Sequence, residues 1–215
     1  MGTILASAII AKARILIHDT VGTRWPDAEM LNWLNDGQRE IVLLKPNASI
    51  KNVSVAMVEG TKQTIPNDGV SLVTVRRNMG INGTTPGISV TQVDMSLLDE
   101  EVREWHFEAP LSGAIHFIFD PQDPKHFYLY PPQPATPHYM EVVYSCNPAD
   151  VAIGEAISVD DIYQNILIDY LAYRAFSKDS DYAANDGRAG IHYGHFTAAL
   201  GAKIQAEGAT APQRR

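Results

Sequence analysis

Cysteine is nearly absent from this chain. Cys146 stands alone in 215 residues, which excludes an internal disulfide framework, fits a reducing compartment and leaves the residue a place inside a strand core. Basic runs are missing too: none exceeds the pairs Arg76-Arg77 and Arg214-Arg215, and the formal net charge is −8. Gripping nucleic acid by its phosphates needs a basic patch, so this chain is expected to repel a polyanion rather than hold it. No stretch approaches the roughly 18 uninterrupted apolar residues that span a bilayer, and no membrane partner is expected. The apolar opening, residues 3–17, carries Lys12 and Arg14 where a secretory signal would be hydrophobic, so a signal is not expected. Walker-type loops, G-x-G-x-x-G, G-x-S-x-G and H-E-x-x-H are all missing. An enzyme is not expected, and neither is a cofactor.

What is present divides by period. Residues 2–45 and 160–207 read as two amphipathic helices each, and about a hundred residues between them hold nearly every proline and β-branched alternation. Ile4, Leu5, Ala8, Ile9, Ile15 and Leu16 share one face of a helix over about 3–18. Trp25-Pro26-Asp27 opens the next, with Pro26 at its first position and Asp27 and Glu29 at the positive end of the dipole; Lys45-Pro46 stops it. Ser158 and Asp161 suggest a capping box for a third helix carrying Ile166, Leu167, Tyr170 and Leu171. A fourth, about 182–207, carries Phe196, Leu200 and Ile204, and its Gly187 and Gly190 are expected to bend it or admit a close neighbour. In the middle, strands are predicted around Val53–Met57 and over 61–65, 70–77, 88–93, 114–119, 126–130 and 139–144. Glu59-Gly60-Thr61 would turn the first two into a pair, Asp120–Pro124 would turn another hairpin, and 96–103 suits a short helix. The expected fold is α+β: a discontinuous four-helix bundle from both termini, 1–48 and 155–207, with an inserted antiparallel β-sandwich or barrel-like domain, 49–154, and a flexible arm, 208–215.

Candidate chemistry is sparse. His192 and His195 have a spacing that suits a metal pair, but a third and fourth ligand are not identifiable, so no metal site is expected. Asp120 and Asp123 resemble the start of a calcium loop without its glycine and bidentate Glu, and read as a proline-stiffened turn. Aromatics are denser: Trp105, His106, Phe107, Phe117, Phe119, Phe127, Tyr128, Tyr130, Tyr139 and Tyr144. Most belong to a core. Those of opposite parity, such as Tyr128 and His116, would face outward and could serve a subunit interface or a carbohydrate platform.

Several segments together resemble a known family. Trp25-Pro26-Asp27 with Leu31-Asn32-Trp33-Leu34-Asn35-Asp36-Gly37-Gln38-Arg39 is similar to the opening helical hairpin of the head-to-tail adaptor (connector) proteins of tailed bacteriophages. So are Asp120-Pro121-x-Asp123-Pro124-x-x-Phe127-Tyr128-x-Tyr130-Pro131-Pro132 and Tyr170-x-x-Tyr173-Arg174-Ala175-x-Ser177-Lys178-Asp179, in the same order along nearly the whole chain. Within the group the likeness is to short-tailed phage adaptors and the tubular tail protein below the portal.

That resemblance implies a structural virion protein made in the host cytoplasm and located at the head–tail junction. Such adaptors form a ring, usually of twelve copies, under the portal protein; they extend the DNA channel and dock the next tail or nozzle protein. Their helices form the ring wall, with the β domain outside or below. Carried over here, Gly208, Ala209, Thr210, Ala211, Pro212, Gln213, Arg214 and Arg215 are the expected portal-binding arm, ordering on contact. Asp179, Asp181 and Asp186 are the acidic residues expected to face the channel, through which DNA passes without specific binding. The competing function is a carbohydrate- or receptor-binding β module of a tail component, with Trp105 and Tyr128 as readers; a His/Asp hydrolase is the third.

Overall fold

The computed structural model describes residues 2–179 and 183–210. Their order is α1 (Ala6–Leu16), α2 (Asp27–Leu44), β1 (Ile50–Ala56), β2 (Gly60–Thr64), β3 (Gly69–Asn78), β4 (Thr91–Gln92), α3 (Met95–Glu101), β5 (His116–Phe119), β6 (His126–Gln133), β7 (Tyr139–Cys146), α4 (Gln164–Lys178) and α5 (Ala183–Thr210). The architecture is mixed α+β, with five helices and two sheets among the described residues and no closed barrel. Two compact units result, one from residues within 1–49 and 148–215, the other from 50–147.

In the helical unit α4 is the hub, packing against α1, α2 and α5. Its buried face, Ile166, Leu167, Tyr170, Leu171 and Ala175, meets Ile9 and Ala13 of α1, Met30, Leu34 and Ile41 of α2, and Phe196 and Leu200 of α5 in one core. Gly37 makes the α2–α4 approach possible: a Cβ there would lie 2.8 Å from Tyr170 Cδ1. α1 ends in a Schellman motif, in which Asp19 N–H donates to Arg14 O (3.0 Å) and His18 N–H to Ile15 O (3.3 Å). His18 takes the left-handed position, φ 58°, where glycine is commoner. α5 reaches Thr210, so Gly208, Ala209 and Thr210, expected in a flexible arm, form the end of the helix backbone; Ala211, Pro212, Gln213, Arg214 and Arg215 lie outside the described residues. Gly187 and Gly190 face open space, with no described atom within 4 Å of an added Cβ, so neither packing nor a neighbour within the described chain requires them.

Two polar side chains buried in α2 hold the returning chain in this unit. Asn35 Nδ2 donates to Val151 O (3.2 Å), and Val151 N donates back to Asn35 Oδ1 (3.1 Å). Gln38 Oε1 accepts from Ser158 N (2.6 Å) and Val159 N (3.3 Å), and Gln38 Nε2 donates to Asn35. Residues 148–154, expected with the strands, accordingly pack with the helices. The Ser158/Asp161 capping box does not form. Ser158 donates its hydroxyl to Ala149 O (2.7 Å) and its N–H to Gln38 Oε1, and Asp161 instead accepts from Thr3 N (2.7 Å), Thr3 Oγ1 (2.6 Å) and Ile4 N (3.0 Å), fastening the opening of the chain to the turn before α4. These hydrogen bonds favour ionised Asp161 and lower its pKa.

The β unit corrects three expectations. β1 and β2 do not form a hairpin: β1 pairs with β7 in a sheet ordered β1-β7-β3, while β2 pairs with β6 in a sheet ordered β2-β6-β5-β4. Pairing is not wholly antiparallel, because β4 runs parallel to β5. β6 runs on through Pro131 and Pro132 to Gln133, which is tolerated because its pairing with β5 ends at Tyr130 and its register with β2 shifts between Gly60 and Lys62. The expected hairpin at Asp120–Pro124 does form between β5 and β6. The inner residues of both sheets, among them Leu72, Val75, Phe117, Phe127, Leu129, Met140 and Val142, share one core with Cys146, which is buried as expected.

Candidate functional site

The segments that carry the family likeness resolve into joints. Trp25-Pro26-Asp27 lies at one: Arg14, buried at the end of α1, sends Nη1 to Asp19 Oδ2 (3.1 Å) and Nη2 to Trp25 O and Asp27 Oδ1 (both 2.6 Å). Asp19, also buried, accepts from the N–H groups of Thr23 (2.9 Å), Arg24 (3.2 Å) and Trp25 (2.9 Å). Gly22, at φ 73°, leaves room for the guanidinium, since a Cβ there would lie 2.8 Å from Arg14 Cζ. In the second segment Asn35 and Gln38 are the latch described above, Gly37 admits Tyr170, and Arg39 pairs with Asp36 (2.9 Å) and Asp150. In the third, Asp123 Oδ1 meets His126 Nδ1 at 2.7 Å and Pro124 O accepts from Leu72 N at 2.9 Å, a built turn as expected. In the last, Lys178 pairs with Glu29 and lies over the Trp25 ring at 5.4 Å. Arg14, Asn35 and Gln38 carry these joints although the sequence offers only a charge and two amides inside helical patterns.

Several large apolar side chains lie in solvent on each unit. Val21 and Leu43 in the helical unit, and Ile81, Ile88 and Phe107 in the β unit, are large apolar side chains left in solvent; Phe107 is 89% exposed. On the helical unit a cleft of about 310 Å³ is lined by Leu16, Ile17, His18, Phe176, Arg188, Ile191 and His192. The carbohydrate platform loses one of its two readers, because Trp105 is fully buried, stacked on His106 with centroids 3.6 Å apart and donating from Nε1 to Asp99 (3.0 Å). Tyr128 is half-buried and edges onto both rings. Among the acidic candidates, Asp179 already pairs with Arg24 and accepts from Asn185 Nδ2 (2.7 Å), Asp186 is exposed in the first turn of α5, and Asp181 lies outside the described residues. At the other end of α5, Glu207 pairs with buried Lys45, and the Lys45 hydrogen bond and charge pull the Glu207 carboxyl below its usual range.

The sequence profile of the family described as SU10 adaptor protein matches residues 5–215. The chain belongs to that family. No curated protein matches it. Membership makes the SU10 adaptor chain a phage adaptor-type protein, a structural virion component that meets other head and tail parts. Among its described residues no helix is long and apolar enough to cross a membrane.

One cluster joins residues that the sequence left apart. Asp169 of α4 stands beside His192 and His195 of α5, each offering one ligand atom within 4.8 Å of the others. Asp169 Oδ1 lies 2.9 Å from His192 Nδ1 and 4.0 Å from His195 Nδ1. No sequence signal marks Asp169, which is one acidic residue on a helix 23 positions before His192.

Proposed function

We propose that this SU10 adaptor chain assembles as a ring, a dodecamer, between the portal vertex and the tail of a short-tailed phage. The observation that carries this reading is the family match over residues 5–215. Helices drawn from both ends of the chain form the ring wall as a discontinuous bundle, and the β unit offers surface to neighbours and to the next tail or nozzle protein. A cyclic ring needs two different faces on each subunit, and exposed apolar side chains on both units are suited to such contacts. Residues 208–215 are the portal-docking arm, delivered on the end of α5. Asp179, Asp181 and Asp186 contribute to an acidic channel wall, and the overall charge of −8 favours passage of DNA without adhesion.

The arm gives a direct test. In sedimentation with purified portal rings, the full chain should pellet with the portal, and a chain ending at Glu207 should bind at least about tenfold more weakly while keeping its helical circular dichroism. Equal binding by the shortened chain would overturn the assignment of the arm.

A further inference from the structure

We propose that Asp169, His192 and His195 form a binding site for a first-row divalent transition-metal ion, with zinc as the probe. Two imidazole nitrogens and one carboxylate oxygen are the donor set of three-ligand zinc sites, whose fourth position is left to water. Hard cations are disfavoured, since calcium and magnesium take oxygen ligands and more of them. The chain's fold supplies the third ligand that the His-x-x-His spacing lacks: α4 brings Asp169 against α5, and all three ligand atoms lie within 4.8 Å of one another.

The geometry needs little adjustment. Bonds of about 2.0–2.2 Å in a tetrahedral site place ligand atoms roughly 3.3–3.6 Å apart. Asp169 Oδ1 now lies 2.9 Å from His192 Nδ1 and 4.0 Å from His195 Nδ1, on either side of that range. His195 has 65% of its side chain in solvent, so its ring can swing inward without displacing packed atoms. His192 is the fixed member, with only 17% of its side chain exposed and its ring stacked on Phe176 at 5.7 Å and 18°. The ion would replace the hydrogen bond between His192 and Asp169, and any proton held on the bound imidazole nitrogens would leave to solvent, so affinity should rise with pH. Arg188, held over the Phe176 ring at 5.7 Å, lines the same cleft as His192 and opposes a dication, which keeps the site weaker than a closed four-ligand centre. An ion there clips α4 to α5, the helix that leads to the terminal arm.

The test uses the full chain without a histidine tag, freed of metal by chelator and titrated with zinc chloride by calorimetry and thermal unfolding. One ion per chain is expected at micromolar affinity, with a rise in unfolding temperature at saturation. His195→Ala, at an exposed position, and the isosteric Asp169→Asn should each weaken binding about tenfold or more. His126→Ala, which removes the separate His126–Asp123 pair on the β5–β6 turn, should bind as the parent does. Absence of saturable binding below about 100 µM zinc, or binding unchanged by His195→Ala, would overturn the proposal.

Discussion

Replacing Arg14 with alanine is expected to destabilise the helical unit by about 3–5 kcal/mol, the cost of breaking one side of a buried ion pair. Arg14 is 7% exposed and its guanidinium makes four hydrogen bonds, two to Asp19 and one each to Trp25 O and Asp27. Without it Asp19 remains buried as an anion with only backbone donors, and Trp25 O loses its partner. Asp27 contributes little to the sum, because its carboxylate is largely in solvent. Urea unfolding at neutral pH, followed by helical circular dichroism, reads the loss directly.

The same joint carries an acid signature. Burial pushes the Asp19 carboxyl up, but the N–H groups of Trp25, Arg24 and Thr23 and the charge of Arg14 together pull it below its ordinary value of 3.8. A folded pKa below the unfolded one means that the stabilisation is fully present above the unfolded value and is lost as pH falls through the folded one. The parent should therefore hold its Asp19 contribution down to about pH 4 and lose it below. In Arg14→Ala the Coulombic part is gone while burial remains, so the Asp19 contribution should be smaller and its loss complete at a higher pH.

Phe196→Ala should cost about 3–5 kcal/mol through the cavity it leaves. Phe196 is fully buried where α5 meets α4, with its ring centroid 5.3 Å from Tyr170 and 5.8 Å from Tyr193. Tyr170 also covers Gly37, so one aromatic stack links α5 through α4 to α2. The change should lower the urea midpoint of the helical unit and loosen α5 selectively. Hydrogen exchange should show the extra opening on residues 189–204, with β6 and β7 unchanged. A uniform increase in exchange across both units would contradict the assignment of Phe196 to the α4–α5 seam.

Much of the fold was readable because its signals are local. The 3.6-residue stripes of α1, α2, α4 and α5 and the Asp120–Pro124 turn are properties of short windows, and they appear where the pattern places them. The pairing of β1 with β7 rather than β2 is a long-range choice. The chain bends at Glu59, but Gly60 and Thr61 already belong to β2, which joins the other sheet, where alternation looks the same. The capping box failed for a related reason: Ser158 and Asp161 have the right spacing, yet Gln38 and Thr3, distant in sequence, offer their partners better use. Trp105, a candidate reader in the carbohydrate alternative, is buried because α3 and its following turn fold over β5 and β6, a packing that no local pattern reveals. The Asp169–His192–His195 cluster was half visible as a histidine pair; its third member becomes evident only when α4 and α5 are packed together.

In the proposed function this SU10 adaptor chain closes into a ring on a portal. Single-particle imaging of the full chain mixed with purified portal should show a second ring of density, coaxial with the portal and twelvefold, around an open channel. Portal particles without added density, with the adaptor chain remaining monomeric in the same mixture, would contradict it.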